Sequence, residues 1–212
     1  DFDSRKSQIS DNESNWDGTE LSEIHHTMTA QTAIDAGQLL DRFWDICIVD
    51  ALIGDWDRHN VNWGFLYDAV SDAIELAPVY DCGSCLYPQA DDEIMRSVLT
   101  NKGDRDHRIY EIPTSAITLE GKKIRYFDFI SSLREEGCSR ALRRIIPRID
   151  MGKIGKLIYD TPFLSDLQRQ FYLTMLAERK AKILDFALEK LEQAKDGLLP
   201  VKHKAGKDRD AR

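Results

Sequence analysis

The chain has no long hydrophobic run. Its longest apolar stretches, such as residues 46–53, are broken by Asp50, and nothing approaches the roughly 20 apolar residues a bilayer-spanning helix needs. No membrane association is expected. Cysteine is scarce, at four in 212 residues, which fits a reducing cytoplasm better than a disulfide scaffold. There is no basic excess: the net charge of −8 argues against direct nucleic-acid binding. No basic-then-apolar leader and no methionine open the chain, which begins Asp1-Phe2-Asp3-Ser4 and reads as a piece of a longer cytoplasmic product. No G-x-x-x-x-G-K-[ST] occurs, so a P-loop enzyme is excluded. What is present, 42% apolar and 31% charged residues, suits one sizeable globular domain.

Three segments follow from composition. Residues 1–34 read as a polar, loosely ordered lead-in with a short helix near residues 20–28. Residues 35–194 read as the folded domain, and residues 195–212 as a disordered, solvated tail. Within the domain, Leu39, Leu40, Phe43, Trp44, Ile46, Cys47, Val49, Leu52 and Ile53 recur at three- and four-residue steps, which predicts a buried helix closed by Gly54. Residues 63–67 and 74–80 predict two strands of a small hairpin across a turn at 68–72, followed by the loop Asp81-Cys82-Gly83-Ser84-Cys85. Helices are predicted over residues 91–99, 124–136, 139–147, 151–159 and 165–194. The fold class is mainly α with a small β-hairpin.

The stretch "GDWDRHNVNWGFL", residues 54–66, sets a polar island between the helix and the hairpin. Asp57 lies five positions before Asn62, and Asp81 follows the second predicted strand. The hairpin would bring both loops to one edge, gathering two carboxylates and an amide. Such oxygens suit Mg²⁺, which takes one or two carboxylates and completes its shell with substrate phosphates. Protein kinases use this arrangement for phosphoryl transfer: one Asp receives the substrate hydroxyl proton, while an Asn and a later Asp hold the metal. Read without that template, Asp and Asn in this stretch are ordinary turn and cap residues.

"DALIGDWDRHNVNWGFLYD" and "LAPVYDCGSCLYP" resemble the C-terminal kinase lobe of HipA-like bacterial serine/threonine kinases, with the likeness running over residues 39–191. The resemblance implies a kinase C-lobe fold, ATP and Mg²⁺ as cofactors, a protein substrate and an antitoxin-type partner. It makes Asp57 the catalytic aspartate, Asn62 and Asp81 the Mg²⁺ and nucleotide-site residues, and Tyr80-Asp81-Cys82-Gly83 a DFG-like motif. His59 and Arg58 would shape the loop or touch phosphate. Asp55 stands where such relatives carry Asn, adding a carboxylate near the metal. "DRHNVN" also resembles the catalytic loop of phosphatidylinositol kinases, so a lipid or small-molecule kinase stays open. A kinase also needs a glycine-rich phosphate loop and a strand lysine, and neither appears before Leu39. The chain therefore reads as a fragment that binds ATP poorly, or as a non-catalytic, pseudokinase-like interaction module.

Other features have plainer readings. Cys82-x-x-Cys85 has redox or zinc spacing, but no second pair completes a zinc site, and two ordinary thiols are favoured. His59 is favoured as a loop-bonding histidine. His25 and His26 are expected to face solvent, and Phe43, Trp44, Trp63 and Phe65 to form one core cluster around the loop. Residues 151–155 read as a helix start. Arg140, Arg143, Arg144 and Arg148 form a basic stripe expected to pair with Glu135 and Glu136.

Overall fold

The computed structural model describes residues 19–59 and 62–195. Leu21, Ile24 and Met28, at helical spacing, are the buried face of α1 (Leu21–Ala30). They join the same core as the rest of the chain, and α1 is the short helix expected near residues 20–28. Three apolar side chains on one stripe are enough to dock a short helix. Residues 1–18 and 196–212, which include most of the expected tail, lie outside the described residues.

Helix α2 (Ala36–Ile53) starts where the Asp35 carboxylate accepts the Gln38 N–H at 2.9 Å and ends at Gly54, whose φ of 69° is the left-handed cap that glycine adopts without strain. It buries Leu39, Phe43, Trp44, Ile48, Ala51 and Leu52, and packs along α6 (Glu136–Ile145). The expected hairpin forms between β1 (Phe65–Asp68) and β2 (Ala73–Leu76), antiparallel, with Phe65 opposite Leu76.

Beyond it lie α3 (Asp92–Thr100) and α4 (Lys102–Tyr110). Asn101 separates them, its side chain accepting the N–H of Gly103 at 2.8 Å. Helix α4 escaped the sequence reading because it is almost wholly polar and buries only Ile109.

A second hairpin, β3 (Thr114–Leu119) with β4 (Lys122–Arg125), stands where one was not expected. Glu120 and Gly121, at φ 53° and 72°, make its two-residue turn with both central residues left-handed, the geometry that matches strand twist. The helix expected over 124–136 accordingly begins only at α5 (Tyr126–Ser132). Glu20 straps α1 to this turn, accepting the N–H groups of Glu120 and Gly121 at 2.8 and 3.1 Å and the Thr118 hydroxyl at 2.8 Å; these bonds hold its carboxyl below the usual range.

The remaining elements are α7 (Met151–Asp160), α8 (Asp166–Arg179), a π-helical turn (Lys180–Asp185) and α9 (Phe186–Lys195). The single helix expected over 165–194 is thus interrupted by one wide turn. The basic stripe pairs less with its own helix than expected. Arg140 meets Glu136, but Arg144 bonds Asp45 at 2.7 Å and Arg143 bonds Glu192 at 2.8 Å, so the stripe fastens α6 to α2 and α9.

Phe43 and Trp44 lie in the core and Trp63 and Phe65 pack against that same core, as expected. Phe43 and Trp44 pack with Phe129 and with the edge of His25, 5.6 Å from Trp44 between ring centroids, so His25 does not face solvent; His26 does. Trp63 and Phe65 make their own edge-to-face contact at the start of the hairpin, 6.3 Å between ring centroids.

Candidate active site

The polar island begins at the end of α2. The Asp50 carbonyl accepts the N–H of both Gly54 and Asp55, at 2.8 and 3.0 Å, turning the chain out of the helix. Asp55 is fully buried. Its carboxylate accepts the Asp57 N–H at 2.9 Å and an Arg58 N–H at 2.8 Å, and its carbonyl accepts the Tyr126 hydroxyl. The extra carboxylate expected near the metal therefore points into the loop's own interior.

Arg58 is the hub. Its Nε and Nη2 donate to Asp50, Nη2 also to Asp55, and Nη1 to the carbonyls of Asn62 at 2.9 Å and Tyr80 at 2.6 Å. All five N–H groups a guanidinium owns are thereby engaged inside the protein, and the side chain is only 4% exposed. Arg58 shapes the loop and has no donor left for phosphate, which decides between the two roles considered for it. One cation faces two buried carboxyl groups, so it cannot balance both as carboxylates. Burial pushes the Asp50 carboxyl up to about 7 against the pull of Arg58. Asp50 was not singled out from sequence, although a lone acid interrupting the apolar face of a buried helix is a signal that a cation must be found for it.

The loop closes on itself through Asp57. Its carbonyl accepts the His59 N–H at 2.8 Å and the Asn62 side-chain amide at 2.7 Å. Because a carbonyl partner must face the NH₂ group, the Asn62 amide oxygen is directed the other way, as the atom able to ligate a cation. The Asp57 side chain is 43% exposed, with His59 Nε2 3.9 Å from its Oδ1. Asn62 is buried at the base of the loop.

Asp81 lies across the hairpin, exposed, with a left-handed φ of 54° that Asp tolerates better than most residues. Its neighbours are both held by Arg58: Tyr80 through its carbonyl, and Cys82 through its sulfur at 3.6 Å. The loop then returns to α2, where the Ile53 carbonyl accepts the Leu86 N–H at 2.9 Å, and Tyr87 plugs into the core with its hydroxyl bonded to the Arg108 carbonyl. The structure thus ties the segments carrying Asp57, His59, Asn62 and Asp81 to one guanidinium. Among the described residues no hydrogen bond joins the Asp81 carboxylate to Asp57 or Asn62, and no three His, Cys, Asp or Glu side chains converge as a metal cage. An amide oxygen and an exposed carboxylate fit Mg²⁺, which draws its remaining ligands from water and phosphate.

Arg179 is a second buried cation that sequence reading missed. It donates to the Ala51 carbonyl at 2.8 Å and to the Tyr87 hydroxyl and Arg108 carbonyl at 3.1 Å each, and lies over the Tyr126 ring. It fastens the C-terminal ends of α2 and α4 beneath the loop, where helix carbonyls carry partial negative charge. Nothing in its local pattern separates it from a surface arginine.

Comparison with known proteins gives a consistent result. No protein-family model matches the chain. It is 44% identical over 188 residues to the serine/threonine-protein kinase CtkA of Helicobacter pylori, covering 88% of this chain and 58% of that protein. The crystal structure of a Helicobacter pylori proinflammatory kinase CtkA matches with a TM-score of 0.81 at 43% identity, over 84% of this chain and 65% of that one. The mostly helical fold with two small hairpins is therefore one found in a kinase, and the chain spans less than two thirds of the relative it matches. Among the described residues no helix is long and apolar enough to cross a membrane.

Proposed function

We propose that this chain is the C-terminal lobe of a HipA-like protein kinase that moves the γ-phosphoryl group of ATP to a serine or threonine of a protein. The observation that carries the reading is the Arg58 guanidinium, which bonds the carbonyls of Asn62 and Tyr80 at once. One cation holds the catalytic loop and the Asp81 loop as a unit, so the oxygens of Asn62 and Asp81 keep a fixed relation to the Asp57 carboxylate.

In this reading Asp57 orients the substrate hydroxyl and accepts its proton as the oxygen attacks. His59, beside the Asp57 carboxylate, steadies its orientation. Asn62 and Asp81 hold Mg²⁺, which when bound neutralises charge on the phosphates. The chain's own contribution is positioning: a loop pinned by buried hydrogen bonds costs no reorganisation during transfer. The chain carries no G-x-G-x-x-G, so a nucleotide-clamping lobe elsewhere in the gene product completes the site. The antitoxin-type partner and the cytoplasmic setting belong to the same proposal.

The test is transfer of labelled phosphate by the full-length gene product, with proteins and lipids separated afterwards. Asp57→Ala and Asp81→Ala should each reduce labelling of protein by about 10²-fold or more. Full activity in either variant sinks the assignment, and label found only in lipid would transfer it to a lipid kinase.

A further inference from the structure

We propose that Cys82 and Cys85 are a redox-active dithiol, closing reversibly to a disulfide across the turn that follows Asp81. Both cysteines are free; Cys82 is exposed and Cys85 half-buried, whereas Cys47 and Cys138 are buried in the core. The Cys85 N–H donates to the Cys82 carbonyl at 3.2 Å, closing a four-residue turn. Such a turn holds its end Cα atoms within about 7 Å, and a disulfide spans about 4.4–6.8 Å.

Arg58 Nη2 donates to both Asp55, at 2.8 Å, and the Cys82 sulfur, at 3.6 Å, so that sulfur sits beside a buried ion pair. At Gly83 the turn is open: a Cβ added there would meet only Asp81 Oδ1, at 4.0 Å. Gly83 and Ser84 are small enough to let the turn tighten.

The oxidant is a hydroperoxide. The exposed Cys82 sulfur attacks the O–O bond, forming a sulfenic acid and releasing water or an alcohol. Cys85 then attacks that sulfur; the S–S bond forms, and the sulfenic oxygen leaves as water. Two thiols lose two electrons and the hydroperoxide gains them. A dithiol reductant reverses the change. Closing the disulfide draws the Cys82 sulfur from Arg58 toward Cys85 and displaces the adjoining Asp81. This consequence rests on the reading of Asp81 as a metal ligand, and loss of such outer support typically costs 10- to 100-fold in metal affinity or activity, roughly.

The experiment treats the folded chain with hydrogen peroxide and maps thiols by mass spectrometry. The tryptic peptide 59–96 holds both cysteines and no others, and circular dichroism before and after confirms that the protein stays folded. Loss of two hydrogens from this peptide, restored by dithiothreitol, supports the dithiol. Cys85→Ser should instead yield a sulfenic acid or a glutathione adduct at Cys82. Two unreacted thiols, or oxidation of Cys82 with Cys85 left free in the native protein, overturn it. In the full-length product, oxidised protein should transfer phosphate at least about tenfold more slowly until reduced; unchanged transfer by the cross-linked form refutes the effect on Asp81. A reduced protein with no transfer at all counts against the kinase reading, while the dithiol is decided by mass alone.

Discussion

Arg58 satisfies five donors and neutralises only one of the two buried acids beside it. Removing it strips the loop of its tether and leaves Asp50 and Asp55 buried with no cation. Arg58→Met should therefore cost about 3–5 kcal/mol of stability, read as a lower denaturant midpoint. The Asp50 carboxyl, raised from 3.8 to about 7 in the folded protein, makes a separate pH signature. Between those values the folded state holds a proton that the unfolded state has lost, so this group's contribution falls as pH rises through the window and is flat above it. Asp50→Asn should flatten that part of the stability profile. An unchanged slope between about pH 4 and 7 would show that Asp50 is not the group responsible.

At the scale of elements, the tightest join is between α2 and α6. A Cβ built on Gly137 would come within 2.3 Å of the Trp44 indole nitrogen and 2.4 Å of its Cδ1. Trp44 is itself enclosed by Phe43, Phe129 and His25, so it has little room to retreat. Gly137→Ala should destabilise the fold by about 1–3 kcal/mol through overpacking, although alanine favours an isolated helix. A thermal midpoint at or above that of the native protein would show that the two helices can separate at little cost. The same join explains the basic stripe: Arg144 reaches Asp45 on α2, and a residue that looks solvated along its own helix becomes an interhelical tie once the helices pack.

For the whole molecule, the limiting feature is what grips nucleotide. In the proposed reading the Asp57–Asn62 loop and Asp81 serve metal and substrate hydroxyl, but the chain has no glycine-rich phosphate loop. Without a clamp on the phosphates, most of the nucleotide's contacts are missing. Calorimetric titration of this chain with ATP and Mg²⁺ should give binding weaker than micromolar. A micromolar constant, about −8 kcal/mol, would mean that the chain grips nucleotide by contacts outside the proposed scheme.

Local chemistry was legible before any coordinates. The periodicity of α2, its Gly54 stop, the first hairpin and the spacing of Asp57, Asn62 and Asp81 depend on neighbours a few residues apart, and these were read directly. Helix α4 and the second hairpin were not, because the first has almost no apolar face and the second is marked only by Glu120-Gly121. The roles of Arg58, Asp50, Asp55 and Arg179 belong to another category. Burial decides whether an arginine meets a phosphate or a carbonyl, and burial arises when segments distant in sequence pack together. The sequence alone determined the spacing of the oxygens that the proposed reading assigns to a metal and a substrate hydroxyl. Only the tertiary structure decided that one buried guanidinium would hold the two loops together, because its partners at positions 50, 55, 62 and 80 meet nowhere but in the folded chain.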